Sequence, residues 1–207
     1  FEEIFKVSGG AEYDDEGNLT SLTPANFILG FGKIDGQDVI VGGEDFTVKG
    51  GSPNAAGLRK SVYTEDLAVK HKFPLVRLHE GGGGSVAGPS KEKKGYGGDP
   101  VFARSRFKSV AQTLKEVPVV SAALGPVAGL PASRFVGSHF RIMVKDNAQI
   151  LVAGPAVVSR AFGKDFTKEE LGGSDVHKKN GVTDNIAESE EDAFNQIKKF
   201  LSFFPAN

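Results

Sequence analysis

The residues that could carry chemistry are concentrated in one glycine-rich run. His79 and Glu80 precede four consecutive glycines, Gly81 to Gly84, and an apolar stretch over 74–78 comes just before them. Glycines have no Cβ atom, so their amide N–H groups can approach a ligand closely. Amides aimed at one point stabilise developing negative charge. We interpret the run as an anion-binding loop, and a mobile glycine linker is the alternative.

A second glycine-containing motif lies further along the chain. Gly125 and Gly129 bracket the sequence Gly-Pro-Val-Ala-Gly, which follows an apolar run over 117–124. A glycine loop between a strand and a helix presents main-chain N–H groups at the start of the helix. Two such loops that converge on one point form an oxyanion hole. Close packing of helices on the sheet is the alternative explanation of these glycines.

Several other chemistries are excluded by what the chain lacks. It contains no cysteine, which rules out disulfides, thiolate metal sites and a cysteine nucleophile. Neither glycine motif fits a phosphate-binding P-loop or a dinucleotide fingerprint, and no Gly-x-Ser-x-Gly nucleophile motif occurs. The four histidines, at positions 71, 79, 139 and 177, lack metal-ligand spacing. We expect no protein-bound metal, and we expect His177 to be structural.

The composition bounds the class of protein. The chain has 207 residues, which lies in the usual range for a single domain. Lys+Arg 25 against Asp+Glu 26 argues against nucleic-acid binding, which favours a basic excess. No apolar stretch approaches the roughly 20 residues of a membrane span, and no signal-peptide pattern begins the chain. We therefore expect a soluble intracellular protein with neither nucleic-acid nor membrane partners.

Strands and helices in alternation must position the glycine motifs, which indicates an α/β domain. The predicted strands are a β-hairpin over 26–43 with its turn at Asp35-Gly36, and single strands over 75–78, 117–124, 140–144 and 148–153. The first predicted helix is capped by Ser52, has Pro53 at its first position and ends near His71. Three more helices are predicted: one whose inner face carries Phe107, Val110 and Leu114, a short one after Gly154-Pro155, and a last one with a stripe of Phe194, Ile197, Leu201 and Phe204.

In their order and spacing, these motifs resemble a known family. The motifs are 44–48 with Gly50-Gly51-Ser52, the strand and glycine run over 75–86, the motif over 125–129, and 169–173 with His177. They look like the amino-terminal half of the carboxyltransferase β subunit of biotin-dependent acyl-CoA carboxylases, of the propionyl-CoA and methylcrotonyl-CoA carboxylase type. The resemblance covers nearly the whole chain and is most specific from Val117 to Pro205.

This resemblance implies both a fold and a reaction. The fold is crotonase-like, an α/β fold of repeated ββα units in which glycine-rich loops hold a thioester oxygen. The reaction moves a carboxyl group from carboxybiotin, carried on a separate domain, to the α-carbon of an acyl-CoA. Main-chain donors stabilise the enolate that forms when the α-proton leaves. The ureido nitrogen of biotin can take that proton, so no side-chain base is required.

The candidate site residues follow from the same resemblance. Gly82 and Gly83 match the paired glycines of the family's first oxyanion loop, and 125–129 match its second glycine motif. Either loop can hold the acyl-CoA enolate or the biotin enolate. The chain departs from the family at 81–84, where Ser-Gly-Gly-Ala is usual, and at Leu130, where a second glycine is usual. The expected backbone oxyanion donors are Gly82, Gly83, Gly125 and Gly129, and the expected substrate-binding residues are Gly50, Gly51, Gly84, Ala128 and Leu130.

Partners are implied as well. In the family, a second crotonase-like half follows this one, and the complete site forms between halves of different subunits. We expect residues 1–207 to be a single amino-terminal domain that lacks the second half, is processed or excised because it begins at Phe1, and is inactive alone. The expected partners are acyl-CoA, the carboxy-terminal carboxyltransferase half, and the biotin carboxylase and biotin carrier subunits, in a homo-oligomer of the mitochondrial matrix or the bacterial cytoplasm.

Two other functions stay open at this stage. An enoyl-CoA hydratase or isomerase of the crotonase type needs an acidic side chain for proton transfer, and Glu80 is the candidate beside a glycine loop. A non-catalytic domain that assembles with partner subunits is the other possibility. The basic residues at 91–94, in a loop expected over 88–99, could border CoA phosphates, although a solvated charged face is the simpler interpretation.

Overall fold

The chain alternates short helices with the strands of one large sheet. The computed structural model describes residues 1–83 and 105–205. In those ranges the strands are β1 (Glu2–Glu3), β2 (Gly9–Tyr13), β3 (Leu19–Pro24), β4 (Phe27–Ile34), β5 (Gln37–Glu44), β6 (Leu75–Gly82), β7 (Val119–Ala128), β8 (Phe140–Val144), β9 (Gln149–Leu151) and β10 (Asn185–Ala187). The helices are α1 (Ala55–His71), α2 (Arg106–Glu116), α3 (Leu130–Val136), α4 (Pro155–Phe162), α5 (Lys168–Gly172), α6 (Ser174–Asn180) and α7 (Glu190–Leu201), with one 3₁₀ turn at Lys49–Gly51.

The main sheet is mixed, with an antiparallel edge and a parallel centre. Its strand order in the described residues is β1-β4-β5-β6-β7-β8-β10, and β9 also pairs with β7. β4 and β5 form an antiparallel hairpin, whose turn at Asp35 and Gly36 has φ angles of 48° and 86°. From β5 onward, each pair of neighbouring strands is parallel. The predicted hairpin and the predicted α/β class are both confirmed.

The core lies on both faces of this sheet, because successive residues of a strand point to opposite faces. Leu75 of β6 packs in one cluster with Leu67 and Ala68 of α1. The next residue, Val76, packs in the other cluster with Ile197 of α7. Both clusters are buried, so helices cover the sheet from two sides and fix where its strands end.

Two predicted helices, α1 and α2, differ in detail from the structure. α1 begins at Ala55 and is capped by Asn54, whose side chain accepts a hydrogen bond from Gly57 N–H at 2.7 Å, so the prediction of Ser52 as the cap was wrong. Phe107 is 65% exposed, because α2 instead buries Ser109 and Thr113 beside Val110. Thr113 faces inward at low cost because its hydroxyl donates to the Ser109 carbonyl at 2.9 Å, whereas the buried Ser109 hydroxyl has no hydrogen-bond partner among the described residues.

The remaining differences concern strand length and the last helix. β6 extends four residues beyond the predicted end at Leu78, and β7 runs through the second glycine motif to Ala128. β8 and β9 pair with β7, not with each other. α7 buries Ala193, Ile197 and Leu201, whereas Phe194 faces solvent. The basic loop expected over 88–99 lies outside the described residues.

Outside the main sheet, β2 and β3 form a separate antiparallel hairpin. Its turn is closed by the Asp14 carboxylate, which accepts hydrogen bonds from Asn18 N–H at 2.7 Å and Glu16 N–H at 3.1 Å. The sequence analysis did not predict this hairpin. Among the helices in the described residues, none is long and apolar enough to cross a membrane.

Candidate functional site

The candidate site forms where β6 ends in the glycine run. Gly81 and Gly82 are the last residues of β6, and Gly83 follows them. Their φ angles are 106°, 97° and 83°, in the region that residues with a Cβ atom rarely adopt. The run is therefore an ordered strand end at least as far as Gly83. A mobile linker does not describe this part of it.

A second glycine segment crosses the run at its start. A Cβ atom on Gly51 would lie 2.7 Å from the Glu80 carbonyl oxygen, and one on Gly81 would lie 2.5 Å from the Gly50 carbonyl oxygen. The 3₁₀ turn that holds Gly50 and Gly51 is fixed by Asn26, a buried side chain that donates to the Ser52 carbonyl oxygen at 2.5 Å. Main chain therefore packs directly on main chain.

The third segment comes from the end of β7 and the start of α3. Gly82 pairs with Ala128, and a Cβ atom on Gly82 would lie 2.5 Å from Pro131 Cγ. A Cβ atom on Gly129 would lie 3.1 Å from Gly83 Cα. The Ser52 hydroxyl, in turn, donates to the Gly83 carbonyl oxygen at 2.9 Å. The sequence-predicted residues that this arrangement brings together are Gly50, Gly51, Gly82, Gly83, Ala128, Gly129 and Leu130.

The amides of the third segment have different partners. Gly129 N–H donates to the Leu151 carbonyl oxygen at 3.1 Å, so this amide is occupied. The next amide, Leu130 N–H, opens α3 and has no acceptor within residues 1–83 and 105–205. A backbone donor beside Gly83 is therefore Leu130 N–H instead of Gly129 N–H.

Gly125 does not join this convergence. It lies inside β7, at a shift in the register of β7 against β6. His79 pairs with Ala123 and Gly81 pairs with Val127, so the single residue Glu80 lies opposite the three residues 124–126. A Cβ atom on Gly125 would lie 2.7 Å from Glu80 Oε1, so the Glu80 side chain occupies the space above it. The last member of the predicted set, Gly84, lies outside the described residues.

Two carboxylates border an apolar cavity next to the glycine segments. Glu80 and Glu44 line a cavity of about 340 Å³, whose other walls are Phe1, Ile28, Val41, Gly43, Leu78 and Leu124. The Glu44 carboxylate also contacts His79 Nδ1 at 3.1 Å, and His79 Nε2 lies 3.4 Å from the Ser121 hydroxyl. Ser121 is completely buried, so no substrate reaches its hydroxyl and the Glu-His-Ser row does not form a nucleophilic triad.

A buried cluster of charges, not predicted from the sequence, lies below the site. Glu65 Oε1 accepts hydrogen bonds from Arg77 Nη2 and Arg134 Nε, both at 2.9 Å. Burial lowers the pKa of Arg77 to about 10, against the opposing effect of Glu65. The signal that could have revealed it is Arg77 itself, a charged residue inside the buried strand 75–78.

His177 was expected to be structural, and the structure confirms this. Its ring is buried, and Nε2 contacts the Ile150 carbonyl oxygen at 2.8 Å. Within residues 1–83 and 105–205, no group of three or more histidine or acidic side chains could hold a metal ion. Backbone amides and the two carboxylates of the cavity are the groups with which the described part of the site could act on a ligand.

A mixed sheet of this topology, with glycine segments meeting at its strand ends, defines the class as crotonase-like α/β proteins. The chain belongs to the carboxyl transferase domain family, whose model matches residues 11–207. The resemblance inferred from the sequence motifs is thereby confirmed.

Individual relatives agree with this assignment. The chain is 34% identical over 181 residues to methylmalonyl-CoA decarboxylase subunit alpha of Veillonella parvula, covering 87% of this chain and 34% of the relative. It is 32% identical over 181 residues to the propionyl-CoA carboxylase beta chain of Saccharopolyspora erythraea, covering 87% of this chain and 32% of the relative. The chain thus spans about a third of the length of these curated relatives.

Among solved structures, the chain is similar to the transcarboxylase 12S core with methylmalonyl-coenzyme A and methylmalonic acid bound. The two share 26% sequence identity with a TM-score of 0.77, covering 100% of this chain and 39% of that chain. The geranyl-CoA carboxylase beta subunit of P. aeruginosa shares the fold, with a TM-score of 0.74 at 22% identity over 98% of this chain and 36% of that chain. The predicted crotonase-like fold is confirmed.

Proposed function

We propose that the chain is the acyl-CoA-binding half of a biotin-dependent carboxyltransferase. The observation that carries this proposal is the packing of Gly83 against Gly129, where a Cβ atom on Gly129 would lie 3.1 Å from Gly83 Cα. This contact brings the end of β6 next to the start of α3, where the Leu130 amide lies. The relatives named as carboxylase and decarboxylase subunits support the same chemistry. Their names differ in the direction of carboxyl transfer, and we assign the carboxylating direction to this chain.

The backbone accounts for the central step of this reaction. Loss of the α-proton moves negative charge to the thioester oxygen, and Gly83 and Leu130 N–H groups stabilise that charge as it develops. The α-carbon then forms its new bond to the carboxyl carbon. Carboxybiotin would supply that carboxyl group as carbon dioxide when its N–C bond breaks, and the ureido nitrogen freed in this way would accept the α-proton. Backbone amides at this position suit either the thioester or the ureido carbonyl oxygen, because negative charge develops on both.

The other predicted residues take roles around this centre. Gly82 packs against Pro131 and Ala128 and so fixes the position of Gly83, and Gly50 and Gly51 pack against the start of the glycine run. Ala128 and Leu130 border the acyl group, and Gly84, outside the described residues, stays a proposed substrate-binding residue on the resemblance alone. Gly125 acts through Glu80, whose side chain it accommodates. We assign no role to a protein-bound metal, so a chelator should leave carboxyl transfer unchanged.

The site requires partners that complete it. We infer a carboxy-terminal carboxyltransferase half and biotin carboxylase and carrier subunits, in a homo-oligomer within an intracellular compartment, because the chain spans about a third of its relatives' length. The solved transcarboxylase 12S core is described as a hexamer assembly. An apolar surface is present for such contacts, since α4 has no buried residue in the described structure and its Phe162 is 75% exposed.

Titration with acyl-CoA esters tests the proposal. The chain alone should bind these esters weakly and turn none over, whereas the chain joined to a carboxy-terminal half should bind them and form carboxylated product from carboxybiotin. Replacing Gly82 with alanine in the joined form should abolish product, because the new side chain strikes Pro131. Robust product from the isolated chain, or none from a folded joined form, would contradict the proposal.

The cavity beside the site favours one second candidate, a crotonase-type hydratase. Glu80 faces an apolar cavity of about 340 Å³ together with Glu44, which is a suitable environment for acid-base catalysis on an acyl chain. Hydration of crotonyl-CoA that is lost in Glu80→Gln and retained in Glu191→Gln, a change on the exposed side of α7, would support it. If crotonyl-CoA is not hydrated, the hydratase candidate is rejected and carboxyl transfer remains the proposed function. A tight oligomer that binds no CoA ester would instead indicate an assembly domain.

A further inference from the structure

One buried carboxylate connects the three elements that carry the glycine segments. Glu65 lies in α1, which follows the turn at Lys49–Gly51. Its Oε1 atom accepts from Arg77 in β6 and from Arg134 in α3, each at 2.9 Å. The three side chains are 1%, 4% and 5% exposed. Because β6 ends in Gly82 and α3 begins after Gly129, this single oxygen joins all three segments.

Further hydrogen bonds extend the connection. Arg77 Nη1 donates to the carbonyl oxygens of Arg134 and Gly137, both at 3.0 Å. Arg134 Nη1 donates to the Ser61 hydroxyl, one turn before Glu65 in α1, at 2.9 Å. Both guanidinium groups therefore hold α3 as well as Glu65. Sliding of α3 along β6 would break several charge-assisted hydrogen bonds at once.

The cluster lies directly behind the candidate site. Arg134 shares a cavity of about 10 Å³ with Gly51 and with Leu130 and Pro131 of α3. A space of this size holds one water molecule at most. Close packing transmits displacement instead of absorbing it, so a shift of Arg134 moves the start of α3 and the Leu130 amide with it.

Stability alone does not explain the cluster. Burying two guanidinium groups against one carboxylate carries a desolvation penalty, and an apolar cluster of similar volume is often as stable. Here the penalty is visible in the lowered pKa of Arg77 and in Glu65 Oε2 and Arg134 Nη2, which have no hydrogen-bond partner in the part of the chain that the structure describes. Directional bonds, in contrast, define one relative placement of α1, β6 and α3.

We propose that Glu65 is a positioning residue that aligns the backbone of Gly83 and Leu130 for enolate stabilisation. This inference rests on the proposed carboxyl transfer for its kinetic consequence. The enolate carries more charge on the oxygen than the bound thioester does, so misplaced amides weaken the transition state more than the ground state. Loss of Glu65 should therefore lower kcat while leaving KM for acyl-CoA nearly unchanged.

The experiment uses the complete carboxyltransferase, assembled with its carboxy-terminal half and carrier. Glu65→Gln should lower kcat by about 10-fold to 100-fold, as expected for a displacement near 1 Å, with KM changed less than about two-fold. Because Glu65→Gln leaves two buried cations without a counter-ion and destabilises the fold, the triple variant Glu65→Met, Arg77→Met, Arg134→Met is the second test. It should fold and show the same fall in kcat. Glu65→Asp, which keeps the charge, should recover part of the activity.

Controls separate positioning from general destabilisation. Glu116→Gln breaks a partly exposed ion pair with Lys72 between α1 and the end of α2, and it should leave kcat unchanged. A folded triple variant with the kcat of the unsubstituted enzyme would overturn the inference.

A readout without catalysis distinguishes this inference from the proposed function. Amide hydrogen exchange at Gly129 and Ser133, whose N–H groups donate to the Leu151 and Gly129 carbonyl oxygens, should accelerate in the triple variant and not in Glu116→Gln. Unchanged exchange at both amides would overturn the positioning role even where carboxyl transfer occurs. An unsubstituted assembly that transfers no carboxyl group, with accelerated exchange in the triple variant, would contradict the proposed function and retain the positioning role.

Discussion

Gly82 and Gly163 share a positive φ but differ in their surroundings. Gly82 has a φ of 97°, and a Cβ atom there would lie 2.5 Å from Pro131 Cγ and 3.0 Å from the Ala128 carbonyl oxygen. Gly163 has a φ of 69° with nothing within 4 Å of the same position. The pair therefore separates the cost of backbone conformation from the cost of steric overlap.

Replacing Gly82 with alanine should destabilise the fold more than replacing Gly163. The conformational cost in Gly163→Ala is about 1–2 kcal/mol, and Gly82→Ala should add about 1–3 kcal/mol of overpacking. Urea unfolding of both variants and the unsubstituted chain measures the difference. Equal losses in the two variants would show that the loop moves aside and that the crossing of the segments is not rigid.

At the scale of residues, the sequence predicted the glycines better than it predicted their supports. Gly82 and Gly83 were identifiable because a run without side chains is visible locally. Glu65, Arg77 and Arg134 were not, because their contacts join positions 12 and 69 residues apart. The pattern on one helix or strand does not indicate such pairing. Gly129 was assigned as a donor, but its amide is satisfied by Leu151, a partner that only the pairing of β7 with β9 reveals.

At the scale of elements, the ends of helices and strands depend on neighbours. Ser52 followed by Pro53 is a typical helix start, yet Asn54 caps α1 because the buried Asn26 side chain binds the chain at Ser52 and Asn54. β7 extends through its glycine motif because β6 and β9 pair with it on both sides. Local propensity predicted which elements exist, and tertiary hydrogen bonds determined where they end.

The start of α5 provides an element whose stability depends on pH. Thr167 caps it, and the Glu170 carboxylate accepts from Thr167 N–H at 2.8 Å and from its hydroxyl at 2.9 Å. These bonds lower the pKa of Glu170. Because the folded-state pKa lies below the unfolded value, the carboxylate stabilises the fold above the unfolded pKa, and this contribution is lost as the pH falls through the folded one.

Comparison with Glu170→Gln isolates this contribution, since glutamine has the same shape and cannot ionise. The unsubstituted chain should be more stable than the variant at neutral pH. The difference should begin to fall near the usual glutamate pKa of about 4.3 and vanish below the lower folded-state pKa. Urea unfolding at a series of pH values measures it. A difference that stays constant throughout would mean that ionised Glu170 has no special role.

At the scale of the whole molecule, stability should be uneven across the sheet. β6 and β7 each have strand partners on both sides, and their Leu75 and Val119 are fully buried. β2 and β3 pair with each other outside the main sheet, and Leu19 and Leu22 are exposed. The topology was predictable as α/β from alternating patterns, whereas the separate hairpin was not, since its strands bury few apolar residues.

Amide hydrogen exchange should reproduce this gradient. We expect the slowest exchange in β6 and β7, near the rate set by global unfolding, and the fastest in the β2–β3 hairpin and in α4. Mass spectrometry of peptides from these segments measures the rates. Protection of the hairpin equal to that of β7 would indicate that it belongs to the same cooperative unit as the main sheet.

The Glu65 cluster also has an evolutionary consequence. A single substitution of Glu65 leaves two buried cations without a counter-ion, and a single substitution of either arginine removes one of the two ion pairs of the Glu65 carboxylate. Any one substitution is thus disfavoured, although replacing all three by apolar residues is not. Positions 65, 77 and 134 should therefore vary as a unit among related sequences, either all charged or all uncharged, with few intermediates surviving between the two states.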